Sequence, residues 1–60
     1  MYRCYFTQEG RVARGCNLKV ATLDAAIATG HKILADHVNV EECDGLEIWL
    51  DQALLYKFND

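Results

Sequence analysis

Sixty residues, 52% hydrophobic and 25% charged, describe one small globular domain; they exclude a disordered chain and leave little room for a catalytic cleft with its own supporting shell. No apolar run approaches the ~18 residues of a membrane span, and no apolar segment precedes a small-residue cleavage site, so neither membrane nor secretion is expected and the location is read as cytoplasmic. The net charge of −3 is uneven: residues 1–20 carry Arg3, Arg11, Arg14 and Lys19 against Glu9 alone, whereas residues 21–60 carry two lysines against eight acids.

The aromatic-rich stretch 2–7 (YRCYFT) predicts a strand. Gln8-Glu9-Gly10 predicts a three-residue hairpin loop, with Gly10 in the left-handed position. That loop sets Thr7 opposite Arg11 and Phe6 opposite Val12, and residues 12–20 form the return strand. Gly15 within it points to a bulge or a close backbone approach.

Thr22 suits a helix N-cap, and Asp24 in the first turn complements the helix dipole. Leu23, Ala26, Ile27, Gly30 and Leu34 recur at helical spacing. The helix is expected to run to about His37, with Lys32 and Asp36 on its wet side. Gly30 inside it costs about 1 kcal/mol against Ala, which closer helix packing can offset.

Residues 39–45 (NVEECDG) are a polar connection. Residues 46–50 (LEIWL) alternate as a strand, Asp51-Gln52 turn the chain, and residues 53–58 (ALLYKF) return. The whole chain, 1–60, is therefore one ββαββ domain of the α+β class: a four-stranded antiparallel sheet with one helix packed on one face.

Side chains alternate across a strand. A two-residue turn at Asp51-Gln52 pairs Leu50 with Ala53, Trp49 with Leu54 and Ile48 with Leu55. Leu46, Ile48, Leu50, Ala53 and Leu55 then lie under the helix, with Tyr2, Cys4, Phe6 and Val12 from the first hairpin. Arg14 falls uncomfortably in the same set. Tyr5, Trp49, Leu54, Tyr56 and Phe58 fall on the opposite face, which one helix cannot cover. A solvated sheet face should be polar, so this one is expected to be an interface, most simply with a second copy. A covering loop from the chain's own residues 38–44 is the competing reading.

The layout Tyr2-x-x-Tyr5-Phe6, Gly10-Arg11-Val12, an Ala-rich helix, and Leu46-Glu47-Ile48-Trp49 resembles a group of short, uncharacterised bacterial proteins. These end in a hairpin of the form Glu-Val-Trp-Asp-Gly followed by Arg-Leu-Val. The present chain departs from it, with Leu50-Asp51-Gln52-Ala53 at the turn and Tyr56-Lys57-Phe58 in the tail. The resemblance covers most of the chain and implies the ββαββ fold, a bacterial source and no known activity or cofactor.

The residues that carry chemistry elsewhere are poorly spaced here. Cys4, Cys16, His31, His37 and Cys43 contain no Cys-x-x-Cys, and the six-residue step between the histidines turns ~240° on a helix; no metal and no cofactor are expected. Cys43 sits among Glu41, Glu42 and Asp44, which disfavour a thiolate. Glu47 and Asp51 lie ~13 Å apart along a strand, too far to work as a pair on one bond.

The expectation is a non-catalytic interaction module, a homodimer or the binder of an unidentified protein, acting through Tyr5, Trp49, Leu54, Tyr56 and Phe58. The alternative is a nucleic-acid-binding module using Arg3, Arg11, Arg14 and Lys19 with Tyr5 as a stacking ring. The acidic remainder of the chain, which repels phosphate, disfavours that alternative. A small enzyme or ligand carrier using the aromatic face as a pocket wall is a third reading.

Overall fold

A computed structural model describes residues 1–36 and 40–59. Its elements are β1 (Tyr2–Gln8), β2 (Arg11–Leu18), α1 (Leu23–Asp36), β3 (Gly45–Leu50) and β4 (Ala53–Asn59). The strands form one antiparallel sheet in the order β2-β1-β3-β4, so the two hairpins join through β1 and β3. This is the expected α+β arrangement, with β2 and β4 as the free edges.

The helix begins where Thr22 can cap it. Its Oγ1 accepts a hydrogen bond from the Ala25 amide at 3.2 Å, and its carbonyl accepts from the Ala26 amide at 3.0 Å. A side-chain oxygen at this position satisfies one of the first-turn amides that has no partner within the helix. Ala26 and Gly30 are the buried helix positions. A Cβ at Gly30 would lie 3.3 Å from Cys4 Sγ, 3.4 Å from Ile48 Cδ1 and 3.5 Å from Leu46 Cδ2. The glycine thus seats the helix directly on the central strands, the compensation expected for its low propensity.

Beneath the helix lies the core of Cys4, Phe6, Leu18, Ala26, Val40, Leu46 and Ile48. Cys4 faces Ile48 and Phe6 faces Leu46 across the β1–β3 pair. Tyr2, Leu23, Ile27, Ile33 and Leu34 pack around this cluster. At the far end of the sheet Gly45 admits close packing: a Cβ there would stand 2.5 Å from the Phe58 carbonyl oxygen and 2.6 Å from Thr7 Oγ1.

Both hairpins depart from the expected register. The first turns in two residues, with Gln8 opposite Arg11 and Thr7 opposite Val12. Glu9 and Gly10 both take positive φ, 53° and 81°, the conformation that matches the twist of a two-residue hairpin. Ala13 is then an extra residue, and Phe6 pairs with Arg14. The irregularity is at Ala13, not at Gly15. Val12 consequently leaves the helix side, where the longer loop had placed it, and is 57% exposed. Arg14 stays on the helix side, where its position on the edge strand gives it room.

The second hairpin keeps Leu50 opposite Ala53 and Trp49 opposite Leu54, but Ile48 pairs with Tyr56, not Leu55. Leu55 is the extra residue of a bulge. Everything after it changes face: Tyr56 and Phe58 turn toward the helix, and Lys57 turns away. Both rings pack against the core cluster, while Leu55, expected under the helix, is 43% exposed.

Because Leu55 is the unpaired residue of the bulge and is exposed, neither its truncation nor its removal should move the rings off the helix side. Leu55→Ala is expected to cost about 1 kcal/mol or less in a urea melt. Deleting Leu55 closes the bulge with Leu54 still opposite Trp49 and Tyr56 still opposite Ile48, so both rings stay inward and cooperative unfolding followed by circular dichroism is expected to persist.

Candidate functional face of the sheet

The face without the helix is built from alternate residues of all four strands. Tyr5 and Trp49 lie at its centre, because β1 and β3 are the central strands. Their rings meet edge to face, with centroids 6.4 Å apart and planes at 88°, a favoured aromatic geometry. Gly15 is opposite Tyr5 on β2. A Cβ there would come within 2.9 Å of the Tyr5 ring, so the glycine gives that ring its place over the edge strand.

Polar partners bracket the two rings. Arg3 Nη1 donates to Tyr5 Oη at 3.1 Å, and Arg3 Nε donates to Asn17 Oδ1 at 3.0 Å. Trp49 Nε1 donates to Glu47 Oε1 at 3.0 Å. The polar tip of each ring therefore has a partner within the chain while its apolar body stays half-buried. A shallow hollow of about 420 Å³ lies alongside, lined by Tyr5, Val12, Glu47, Trp49, Asp51 and Gln52. Val12 and Leu54, at 57% and 44% exposure, extend the apolar surface.

Of the five residues expected on this face, Tyr5, Trp49 and Leu54 are there; Tyr56 and Phe58 are not. The last two form a separate cluster with His31 between α1 and β4. His31 Nε2 and Tyr56 Oη share a hydrogen bond of 2.7 Å. The His31 ring lies edge-on to Tyr56 and Phe58, at centroid distances of 5.7 and 4.7 Å. Sequence reasoning missed this cluster although a signal was present. Strict alternation from Ala53 places Lys57 under the helix, and a bulge relieves that conflict.

The four cations of the alternative reading are divided. Arg3 is on the aromatic face, engaged with Tyr5 and Asn17. Arg11 and Arg14 take the helix side of β2, opposite Gln8 and Phe6, and Lys19 follows the strand. Arg14 lines a second hollow with Glu41, Glu42, Val40 and Cys43, where neighbouring carboxylates offset its charge.

The cysteines are thiols in three settings. Burial pushes Cys4 from its ordinary 9.0 up to about 12, with a smaller contribution from Cys16. Burial also raises Cys16. Cys43 is raised by desolvation and then by Asp44 and Glu42, while Arg14 opposes them. Among the described residues, no three His, Cys, Asp or Glu side chains are grouped to hold a metal ion, and no helix is long and apolar enough to cross a membrane. His37, one of the soft ligands considered, lies outside the described residues, as do residues 38 and 39 of the connection considered as a cover.

No family model matches the chain, and no curated protein or solved structure matches it.

Two measurements probe these assignments. Tyr56→Phe removes the hydroxyl that meets His31 and should lower stability by about 0.5–1.5 kcal/mol in denaturant unfolding. For Cys4, the folded state holds the thiol proton more tightly than the unfolded state does. Its contribution is complete below about pH 9 and is lost as pH rises toward about 12. The urea midpoint of the wild-type chain should therefore fall faster across that range than that of Cys4→Ala.

Proposed function

We propose that this chain is a small non-catalytic interaction module that self-associates through the sheet face opposite its helix, with Tyr5 and Trp49 at the centre of the contact. The observation that carries this reading is the half-buried Tyr5–Trp49 pair flanked by exposed Val12 and Leu54. Aromatic side chains with satisfied polar tips lose little on desolvation and are frequent anchors of protein contacts.

The size of the face supports a weak association. The chain extends 27 × 21 × 16 Å, so one whole face is comparable to the ~800 Å² that each partner buries in a standard interface. Removal of Tyr56 and Phe58 to the helix side shrinks the apolar part, and Arg3, Asn17, Glu47 and Lys57 form a polar surround. A second copy fits because one charged, self-complementary surface can present both Arg3 or Lys57 and Glu47 across a twofold axis.

A reducing bacterial cytoplasm completes the reading. Its supports are an odd number of cysteines, three in all, and the resemblance to short bacterial proteins, whose ββαββ layout this chain shares. Nucleic-acid binding is the second class of function, but the dispersal of Arg3, Arg11, Arg14 and Lys19 over two faces favours the protein contact.

Sedimentation equilibrium from micromolar to millimolar protein tests the proposal. The weight-average mass should rise with concentration for the wild-type chain and for Tyr56→Phe. Trp49→Ala should weaken association at least tenfold, about 1.4 kcal/mol or more, while circular dichroism shows it folded. A wild-type chain that stays a folded monomer across the range overturns the reading.

A further inference from the structure

We propose that Cys4 and Cys16 form a reversible cross-strand disulfide when the folded protein meets a small-molecule disulfide. The two residues are direct partners in the β1–β2 register and project to the same side of the sheet. Directly opposed residues in antiparallel strands have Cα atoms ~4.5–5.5 Å apart, within the ~4.4–6.8 Å that a disulfide spans. A closed bridge also needs its Cβ atoms ~3.8 Å apart, so the strands must pinch together. Such a bridge is strained and correspondingly easy to reduce.

The two thiols differ in access, and this orders the chemistry. Cys4 is fully buried, whereas Cys16 is half-buried on an edge strand. Cys16 loses its proton to solvent, and its thiolate attacks one sulfur of the small disulfide. That S–S bond breaks, a small thiolate leaves, and Cys16 carries a mixed disulfide. Cys4, slow to ionise because its thiol is buried, gives up its proton as it attacks the Cys16 sulfur and expels the second small thiolate. Two protein thiols are oxidised, one small disulfide is reduced to two thiols, and the released protons match the departing thiolates.

The bridge has a consequence for the core. Cys4 Sγ now sits beneath the helix, 3.3 Å from the place a Gly30 Cβ would take. Drawing that sulfur toward β2 withdraws it from the surface on which the helix rests. Oxidation thus acts on helix seating, independently of the aromatic face and of self-association.

The test treats folded wild-type protein with oxidised glutathione, quenches with acid, then unfolds and alkylates it. The expected product has lost two hydrogens, and peptide mapping under non-reducing conditions joins Cys4 to Cys16 and finds Cys43 outside the link. Excess thiol should return the original mass. Cys43→Ser should give the same link, and Cys16→Ser should give none at Cys4. The proposal is overturned if Cys4 and Cys16 are both recovered alkylated, if Cys16 stops at the mixed disulfide, or if the link runs through Cys43.

Discussion

The period-two alternation of a β-strand governs this small domain, and two single extra residues interrupt it. A sheet with one helix has one dry side, so each side chain's fate depends on the parity of its position. Ala13 changes that parity in β2, and Leu55 changes it in β4. The first bulge sends Val12 outward while leaving Arg14 at the helix-side edge. The second carries Tyr56 and Phe58 inward and turns Lys57 out. Both bulges lie in edge strands, where an unpaired residue disrupts one ladder instead of two.

The inward turn of Tyr56 and Phe58 makes one helix sufficient for more of the chain than alternation alone allows. A sixty-residue chain has few side chains with which to fill a core, and the two rings extend the dry layer to the β4 edge. His31 makes this possible: its ring packs on Phe58, and its nitrogen meets the Tyr56 hydroxyl. A phenol hydroxyl packed there without such a partner would carry a desolvation cost that offsets part of what its ring gains. Gly30 above the middle of β3 and Gly45 at its start serve the same economy of space, since a methyl group at either would press on neighbouring atoms.

What remains on the other face is smaller and more ordered than a continuous aromatic patch. Tyr5 and Trp49 hold each other at right angles and are tied to Arg3 and Glu47. Such a surface tolerates water and still offers a rigid apolar centre. Rigid rings lose little conformational entropy on contact.

The helix cap at Thr22, the helical stripe from Leu23 to Leu34 and both hairpin positions were legible in the sequence, because each depends on residues close in the chain. Tyr5, Trp49 and Leu54 were legible as a shared face for the same reason: no bulge intervenes between them and the nearest turn or strand partner that sets their parity. The positions of Tyr56 and Phe58 were not, although an inward Lys57 signalled the conflict. The order of elements, the class of fold and the dry helix stripe follow from short-range patterns along the chain. The strand order, the two bulges and hence the rings beneath the helix depend on contacts between distant segments. A bulge changes little in local propensity; it is selected by burial of Tyr56 and Phe58 against His31, a contact made across the fold.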